Sequence, residues 1–159
     1  MIRIIGIDPG LAQTGYGIIE AAGSTIRCLE FGTIETKPHV PTGERLRTLY
    51  DALCLVLKRF NPAESGIESL YFAKNSATAF PVAQAKGVVL LAMEQNGITV
   101  REYPPQALKQ AIVGNGKAEK SQVQALVKLI LGLAEIPEPD HASDALAAAI
   151  CHYHHRAVM

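Results

Sequence analysis

The chain has 159 residues, 48% of them apolar, and its 15 basic side chains balance 15 acidic ones. This length predicts one compact domain over residues 1–159, because it allows one sizeable core and is too short for two ordinary domains. Zero net charge argues against a protein that coats nucleic acid through a large global field. No apolar run approaches the roughly 20 residues that span a bilayer, and no signal peptide opens the chain, so we expect a cytoplasmic protein.

The first third of the chain predicts three strands in an antiparallel meander. Residues 2–8 form an apolar run that a Pro-Gly turn closes, and two further strand-like segments follow at 15–21 and 25–36. Short connections such as these favour antiparallel neighbours.

Helices alternate with single strands in the rest of the chain. The predicted order β-β-β-α-β-α-β-α-α is typical of an α/β domain with a mixed sheet. The later elements are a helix at 42–60, a strand at 65–70, a helix from Asn75 to about Asn96, a strand at 98–103, a short helix from Pro104-Pro105, an amphipathic helix within 118–133 and a last helix from Pro139-Asp140.

The three cysteines predict neither a disulfide framework nor a structural zinc site. Cys28, Cys54 and Cys151 are odd in number, far apart and without C-x-x-C spacing. We expect them to be small apolar side chains of the core.

Two carboxylates fall where strands end. Asp8 ends the first predicted strand, and Glu68 lies near the end of an otherwise apolar one. Open α/β sheets build their sites at the carboxyl ends of strands, and an unpaired carboxylate on a buried strand is costly to desolvate. Both are therefore candidates for a functional site, although an Asp before Pro-Gly also simply begins a turn.

A third polar group opens the last helix. His141 and Asp144 are three residues apart and project from one helical face, whereas Asp140 lies on a neighbouring line. Acidic residues in a first turn also complement the helix dipole, and Asp140 could be only the N-cap. Because the rest of the helix is almost wholly apolar, we expect Asp144 to face a buried interior.

Together these residues form a pattern suited to phosphodiester hydrolysis. A strand-end Asp, a strand-end Glu and a His/Asp pair on a late helix match a two-metal site, in which hard ligands hold two divalent ions about 3.5 to 4 Å apart. The charge distribution agrees with a polyanionic substrate, since residues 70–130 hold seven basic and three acidic side chains, a net charge of +4. A solvated helix surface would show a similar excess.

Five segments resemble, in order and spacing, the bacterial RuvC family of Holliday junction resolvases: IIGIDPGxxxTGYGII, IESLYFAKN, QAKGV, VGNGKAEKSQVQ and ASDALAAAI. The match covers essentially the whole chain. The resemblance implies a ribonuclease-H-like three-layer α/β fold with a mixed five-stranded sheet flanked by helices. It also implies a homodimer that nicks symmetric strands of a four-way DNA junction, Mg²⁺ or Mn²⁺ as cofactor, and partnership with the RuvA and RuvB branch-migration proteins.

The same resemblance assigns the metal ligands, which are also the catalytic residues. Asp8, Glu68 and Asp144 match three ligands of the family, and His141 stands where many members have a fourth carboxylate. Asp140 points about 100° away on the helix and is the less favoured ligand. An imidazole removes one negative charge and supplies a nitrogen, so we expect relatively stronger activity with Mn²⁺.

The resemblance further implies contacts with DNA. Tyr71 matches an aromatic residue that enters the junction centre, and its neighbour Phe72 either stacks on unpaired bases or packs inward. Lys109 and Lys120 match basic positions near the scissile phosphate. Lys74 and Lys117 are further candidates for phosphate contacts, which would make binding strongly salt-dependent.

Two other features have simpler interpretations. Ala79, Ala83 and Gly87 form a small-residue line that permits close helix approach, either in ordinary packing or at the dimer seam of the family. The histidines His152, His154 and His155 match no zinc pattern, and we expect them to form a solvated C-terminal tail.

Three alternatives remain at this stage. A related ribonuclease-H-like nuclease acting on RNA would share Asp8 and the fold but is not expected to carry YFAKN or AEKSQ. A sugar-kinase or actin-like phosphotransferase would need a second nucleotide-binding half. A non-catalytic junction-binding protein has no need of carboxylates, which repel phosphate.

Overall fold

A mixed five-stranded sheet forms the centre of the fold. The computed structural model describes residues 1–69 and 76–156. The strands cross the sheet in the order β3-β2-β1-β4-β5; β1, β2 and β3 are antiparallel neighbours, whereas β1, β4 and β5 run parallel. This confirms the predicted meander and α/β class. The strands are β1 (Ile2–Asp8), β2 (Gln13–Ala22), β3 (Thr25–Glu35), β4 (Glu64–Glu68) and β5 (Thr99–Tyr103).

Five helices in the described residues flank this sheet. Three of them follow β5, in agreement with the three helical segments predicted there, although the predicted order counted only two; Gly114 takes a left-handed φ of 76° and separates α3 from α4. The predicted cap at Asn75 lies outside the described residues. The helices are α1 (Thr42–Phe60), α2 (Ser76–Gln95), α3 (Pro105–Val113), α4 (Lys120–Leu131) and α5 (Asp140–Arg156).

The sheet separates two apolar clusters, and this creates three layers. Successive side chains of a strand point to opposite faces, so Ile5 and Ile7 of β1 pack in the cluster that contains α1 and α2, whereas Ile4 packs against α3, α4 and α5. Asp8 is an even-numbered residue of the same strand and therefore shares the α5 face. No helix among residues 1–69 and 76–156 is long and apolar enough to cross a membrane.

Helix α5 lies unusually close to the sheet because glycines line its path. A Cβ atom built on Gly6 would lie 1.8 Å from the Ala145 carbonyl oxygen, and one on Gly66 would lie 2.4 Å from the Ala148 oxygen. Only residues without a side chain allow this approach. The Ala-rich sequence of α5 and the glycines of the sheet are thus complementary.

The structure corrects the expectation of a solvated histidine tail. His152 lies inside α5 and is only 1% exposed, because the helix packs on the sheet as far as its last turns. His154 and His155 are exposed, as expected. The expectation that all three cysteines lie in the core is met in part: Cys151 is buried, whereas Cys28 and Cys54 are half-buried.

Candidate active site

The two strand-end carboxylates emerge side by side at one edge of the sheet. Strands β1 and β4 are parallel neighbours with Ile7 paired to Ile67, so the next residues, Asp8 and Glu68, leave adjoining strand ends. The turn after Asp8 is held by the buried Thr14 hydroxyl, which accepts from the Gly10 N–H at 3.2 Å and donates to the Gly10 carbonyl at 2.6 Å. Strand pairing and this turn fix where Asp8 projects.

The first turn of α5 comes down onto the same edge. Gly15 of β2 pairs with Asp8, and a Cβ atom built on Gly15 would lie 1.9 Å from the His141 carbonyl oxygen. The missing side chain therefore makes room for the helix beside Asp8. This brings His141 and Asp144 to the carboxylate although more than 130 residues of sequence separate them from it.

Asp8, His141 and Asp144 form a group of potential metal ligands. One donor atom from each lies within 4.8 Å of the others, and His141 Nδ1 is 2.8 Å from Asp8 Oδ2. Burial raises the pKa of Asp8, the hydrogen bond to His141 opposes this, and the nearby Asp144 charge raises it further. A bound cation would offset both the cost of burying the Asp8 charge and its repulsion by Asp144. Carboxylate oxygens with one imidazole nitrogen are an ordinary donor set for a divalent ion.

Glu68 lies beside this group rather than within it. It lines a cleft of about 260 Å³ together with Asp144, Lys109 and Lys120. Burial and repulsion from Asp8 and Asp144 raise its pKa to about 7, and the two lysines only partly oppose this. The four predicted ligands thus share one edge of the sheet, and three of them are close enough to meet a single ion.

The raised pKa of Glu68 predicts a pH dependence of stability in the metal-free protein. The folded pKa lies above the ordinary value of 4.5, so the folded state holds a proton that the unfolded state has released. The stabilisation is fully present below the unfolded value and is lost as pH rises through about 7. In chelator, wild type should lose stability relative to Glu68→Gln as the pH rises over this window. Thermal unfolding of both proteins from pH 5 to 8 measures this, and a constant difference would contradict it.

Lys120 connects the cleft to the start of α5. It is the first residue of α4, where the Gln122 side chain accepts from the Glu119 N–H at 3.0 Å. Its ammonium group lies 3.1 Å from Asp140 and 3.3 Å from Asp144. Asp140 also accepts from Gln124 at 3.0 Å, and it is absent from the group formed by Asp8, His141 and Asp144.

Of the other residues predicted to contact DNA, some line the cleft and others do not. Lys109 lies in the cleft, whereas Lys117 is exposed and does not line it. Tyr71, Phe72 and Lys74 lie outside the described residues. Asp144 lies at the mouth of the cleft, with its side chain 29% exposed, so the predicted buried interior is a half-buried one.

Sequence reasoning overlooked two kinds of residue at the site. The glycines under α5 were overlooked, although Gly15 and Gly17 in a strand of apolar and aromatic residues are themselves a signal of close backbone approach. Gln124, which holds Asp140, gave no signal because a Gln on an amphipathic helix is ordinary.

Comparisons with known proteins point to one family. The sequence profile of the family described as "Crossover junction endodeoxyribonuclease RuvC" matches residues 4–152. A protein of that name from Treponema denticola is 56% identical over 147 residues, which cover 92% of this chain and 83% of the relative. Another, from Pelotomaculum thermopropionicum, is 51% identical over 152 residues, which cover 96% of this chain and 93% of that relative. The structure of Thermus thermophilus RuvC in complex with Holliday junction substrate superimposes with a TM-score of 0.95 and 35% identity, covering 99% of this chain and 96% of that one.

Proposed function

Because the chain belongs to the RuvC family of crossover junction endodeoxyribonucleases, we propose that it resolves four-way DNA junctions by symmetric paired nicks during recombination and repair. The observation that carries the proposal is the meeting of Asp8, His141 and Asp144 within 4.8 Å, with Glu68 in the adjoining cleft. A module that only binds DNA gains nothing from carboxylates that repel phosphate. The ribonuclease-H-like fold and a junction complex of a relative support the same function.

Each residue of the site has a defined role in this proposal. Asp8, Glu68, His141 and Asp144 hold Mg²⁺ or Mn²⁺. When bound, two such ions activate a water for attack on phosphorus and offset the charge of the leaving 3′ oxygen. Lys109 and Lys120 contact the scissile phosphate from the cleft wall. Since Lys120 pairs with both Asp140 and Asp144, it would keep Asp140 as a partner if Asp144 held a metal ion.

Substrate choice tests the proposal directly. The protein with Mn²⁺ or Mg²⁺ is incubated with a synthetic four-way junction, a linear duplex and an RNA–DNA hybrid. Paired symmetric nicks in the junction alone are the expected result. Degradation of the hybrid with intact junctions would favour the RNA-nuclease alternative, and binding without cleavage in either metal would favour a junction-binding protein.

His141 predicts a preference between metals. An imidazole is a better ligand for Mn²⁺ than for Mg²⁺, and it lacks the negative charge that a carboxylate provides. We expect higher activity with Mn²⁺ in wild type and a shift toward Mg²⁺ in His141→Asp. The same change at the exposed His154 is the matched control and should leave the metal ratio unchanged. Cleavage rates across titrations of both metals measure this; wild-type activity with Mg²⁺ equal to that with Mn²⁺ would contradict it.

We further propose that the outer face of α2 is the seam of a homodimer, with RuvA and RuvB as partners of the assembly. Phe80 is 70% exposed and Leu91 is 52% exposed. With Gln84 and Gly87 they lie on one face of the helix, since they recur every three or four residues. Ala79 and Ala83 of the predicted small-residue line are half-buried, so Gly87 is the member of that line on this face.

The dimer proposal predicts the effect of a bulky charge at Gly87. Among the described residues, and apart from the adjoining backbone of α2, no atom lies within 4 Å of a Cβ atom built there, so Gly87→Arg should leave the fold of each subunit intact and separate the subunits. Gly43 on α1 is equally open and supplies the control, Gly43→Arg, which should remain dimeric. Sedimentation velocity measures the mass, and a dimeric Gly87→Arg protein would show that the seam lies elsewhere.

A further inference from the structure

One face of α5 runs along one column of β4, with two of the proposed metal ligands at one end and a polar cluster around the buried His152 at the other. Residues of β4 on the α5 face alternate as Glu64, Gly66 and Glu68. Residues of α5 that recur every fourth position share a face, and the face over this column consists of Asp144, Ala148, His152 and Arg156.

The cluster at the far end joins the helix to the strand through His152. Its Nε2 atom lies 2.7 Å from the Glu64 carboxylate, and its Nδ1 atom lies 2.8 Å from the Tyr103 hydroxyl. Because a carboxylate can only accept, Nε2 carries the proton, so Nδ1 accepts from the tyrosine. Arg156 donates to both carboxylate oxygens of Glu64 at 2.9 and 3.0 Å. His152 is 1% exposed, which makes its two bonds costly to lose.

Tyr103 extends this cluster to the metal ligand Glu68. It is the last residue of β5 and pairs with Glu68 in the parallel ladder. Its carbonyl oxygen accepts from the Ser69 N–H at 2.8 Å, directly after the ligand. Tyr103 is 7% exposed. This one buried residue is therefore bonded to α5 through its hydroxyl group and to the end of β4 through its backbone carbonyl.

Between these ends, the face of α5 over β4 offers only Ala148 on Gly66 and therefore fixes the helix weakly along its own axis; the large buried side chains of α5, Leu146 and Ile150, lie on another face. Its buried face consists mainly of alanines, and Gly6 and Gly66 beneath it present backbone rather than side chains. Methyl groups on bare backbone give few interlocking contacts along the axis. A buried polar group, by contrast, has a defined partner and can specify register, as single buried polar residues do in coiled coils.

We propose that His152 is a positioning residue for the metal centre: by bonding to Glu64 and Tyr103 it sets the axial position of α5, and so the spacing between Asp144 and Glu68. The inference rests on the proposed function, because it gives those two carboxylates their role as metal ligands. His152 itself contacts neither substrate nor metal. Loss of either bond lets the helix shift along its axis. The distance between Asp144 and Glu68 then changes, and the affinity of the site for metal ions falls.

Two variants test this through metal binding as well as activity. Tyr103→Phe removes one hydroxyl and keeps the ring, and His152→Leu removes both bonds of the imidazole at similar volume. The control is Tyr50→Phe, which removes a hydroxyl bonded to Gln95 on the opposite layer. Mn²⁺ affinity is measured in the absence of DNA from the electron paramagnetic resonance signal of free Mn²⁺. The measurement is made well below the melting temperature of each variant. Junction affinity in the absence of metal and cleavage rates in its presence are measured in parallel.

We expect roughly 10-fold weaker Mn²⁺ binding in Tyr103→Phe and a larger loss in His152→Leu, the range typical of groups that support ligands. Junction affinity should change little, and the control should match wild type. His152→Gln, whose amide can still donate to Glu64, should recover part of the affinity.

If Tyr103→Phe and His152→Leu melt at lower temperature but bind Mn²⁺ as wild type does, the cluster only stabilises the fold and the inference is wrong. Should His152→Leu fail to fold, Tyr103→Phe decides alone. Wild type that neither binds Mn²⁺ nor cuts junctions would overturn the proposed function and this inference with it.

Discussion

Replacement of Asp8 by Asn should abolish junction cleavage while junction binding persists. Asn has nearly the same shape and can still bond to His141 Nδ1, which lies 2.8 Å from Asp8 Oδ2. It removes the negative charge from a carboxylate that has donor atoms of both His141 and Asp144 within 4.8 Å and that also repels Glu68. We expect a loss beyond the roughly 10- to 100-fold that substitution of a supporting residue costs, because a ligand itself is lost.

The matched control for this variant is Asp51→Asn. Asp51 is 62% exposed on α1 and pairs only at 3.6 Å with Arg47, so the same chemical change should leave cleavage at the wild-type level. Single-turnover cleavage and metal-free gel shifts on the same junction separate chemistry from binding. Retained cleavage by Asp8→Asn would remove Asp8 from the metal centre, and a parallel loss of binding would mean that it shapes the DNA surface instead.

Gly15→Ala should be the most damaging methyl addition at the site. A Cβ atom at this position would lie 1.9 Å from the His141 carbonyl oxygen, and a backbone oxygen cannot rotate away. Overpacking costs about 1 to 3 kcal/mol when side chains can adjust, and we expect a cost at or above the top of this range, since α5 as a whole must move. Both the melting temperature and the Mn²⁺ affinity should fall, because the displaced turn carries two ligands.

Two further glycines calibrate this prediction. A Cβ atom on Gly17 would lie 2.5 Å from the Leu146 side chain, which can change rotamer, so Gly17→Ala should cost less. A Cβ atom on Gly43 would meet no atom of the described residues within 4 Å apart from the adjoining backbone, and alanine is favoured over glycine in helices by up to roughly 1 kcal/mol, so Gly43→Ala should be neutral or stabilising. Equal destabilisation by all three changes would show that close approach to α5 is not the cause.

The burial of His152 shows why one expectation from sequence was wrong. Three histidines within four residues near the end of a chain suggest a solvated segment, and two of them are exposed. The third lies on the stripe of α5 that faces β4, where Glu64 and Tyr103 satisfy both ring nitrogens. Neither partner is near it in sequence, so no local pattern could have distinguished it from its neighbours.

Most strands and helices of this protein, and its candidate metal ligands, could be predicted from the sequence alone. Alternating and three-to-four-residue apolar spacings specify the strands and helices, because these periods follow from backbone geometry within each segment. The positions of Asp8, Glu68, His141 and Asp144 at element ends were equally local. The family motifs in which they stand added the proposed role.

How these parts contact one another could not be predicted in this way. That α5 lies on bare glycine backbone, that His141 rather than Asp140 joins Asp8, and that Glu68 lines an adjoining cleft all depend on contacts between distant segments. Differences of a few tenths of an ångström in the spacing of packed elements arise from the balance of all their contacts. A periodic pattern records only which face of each element is buried.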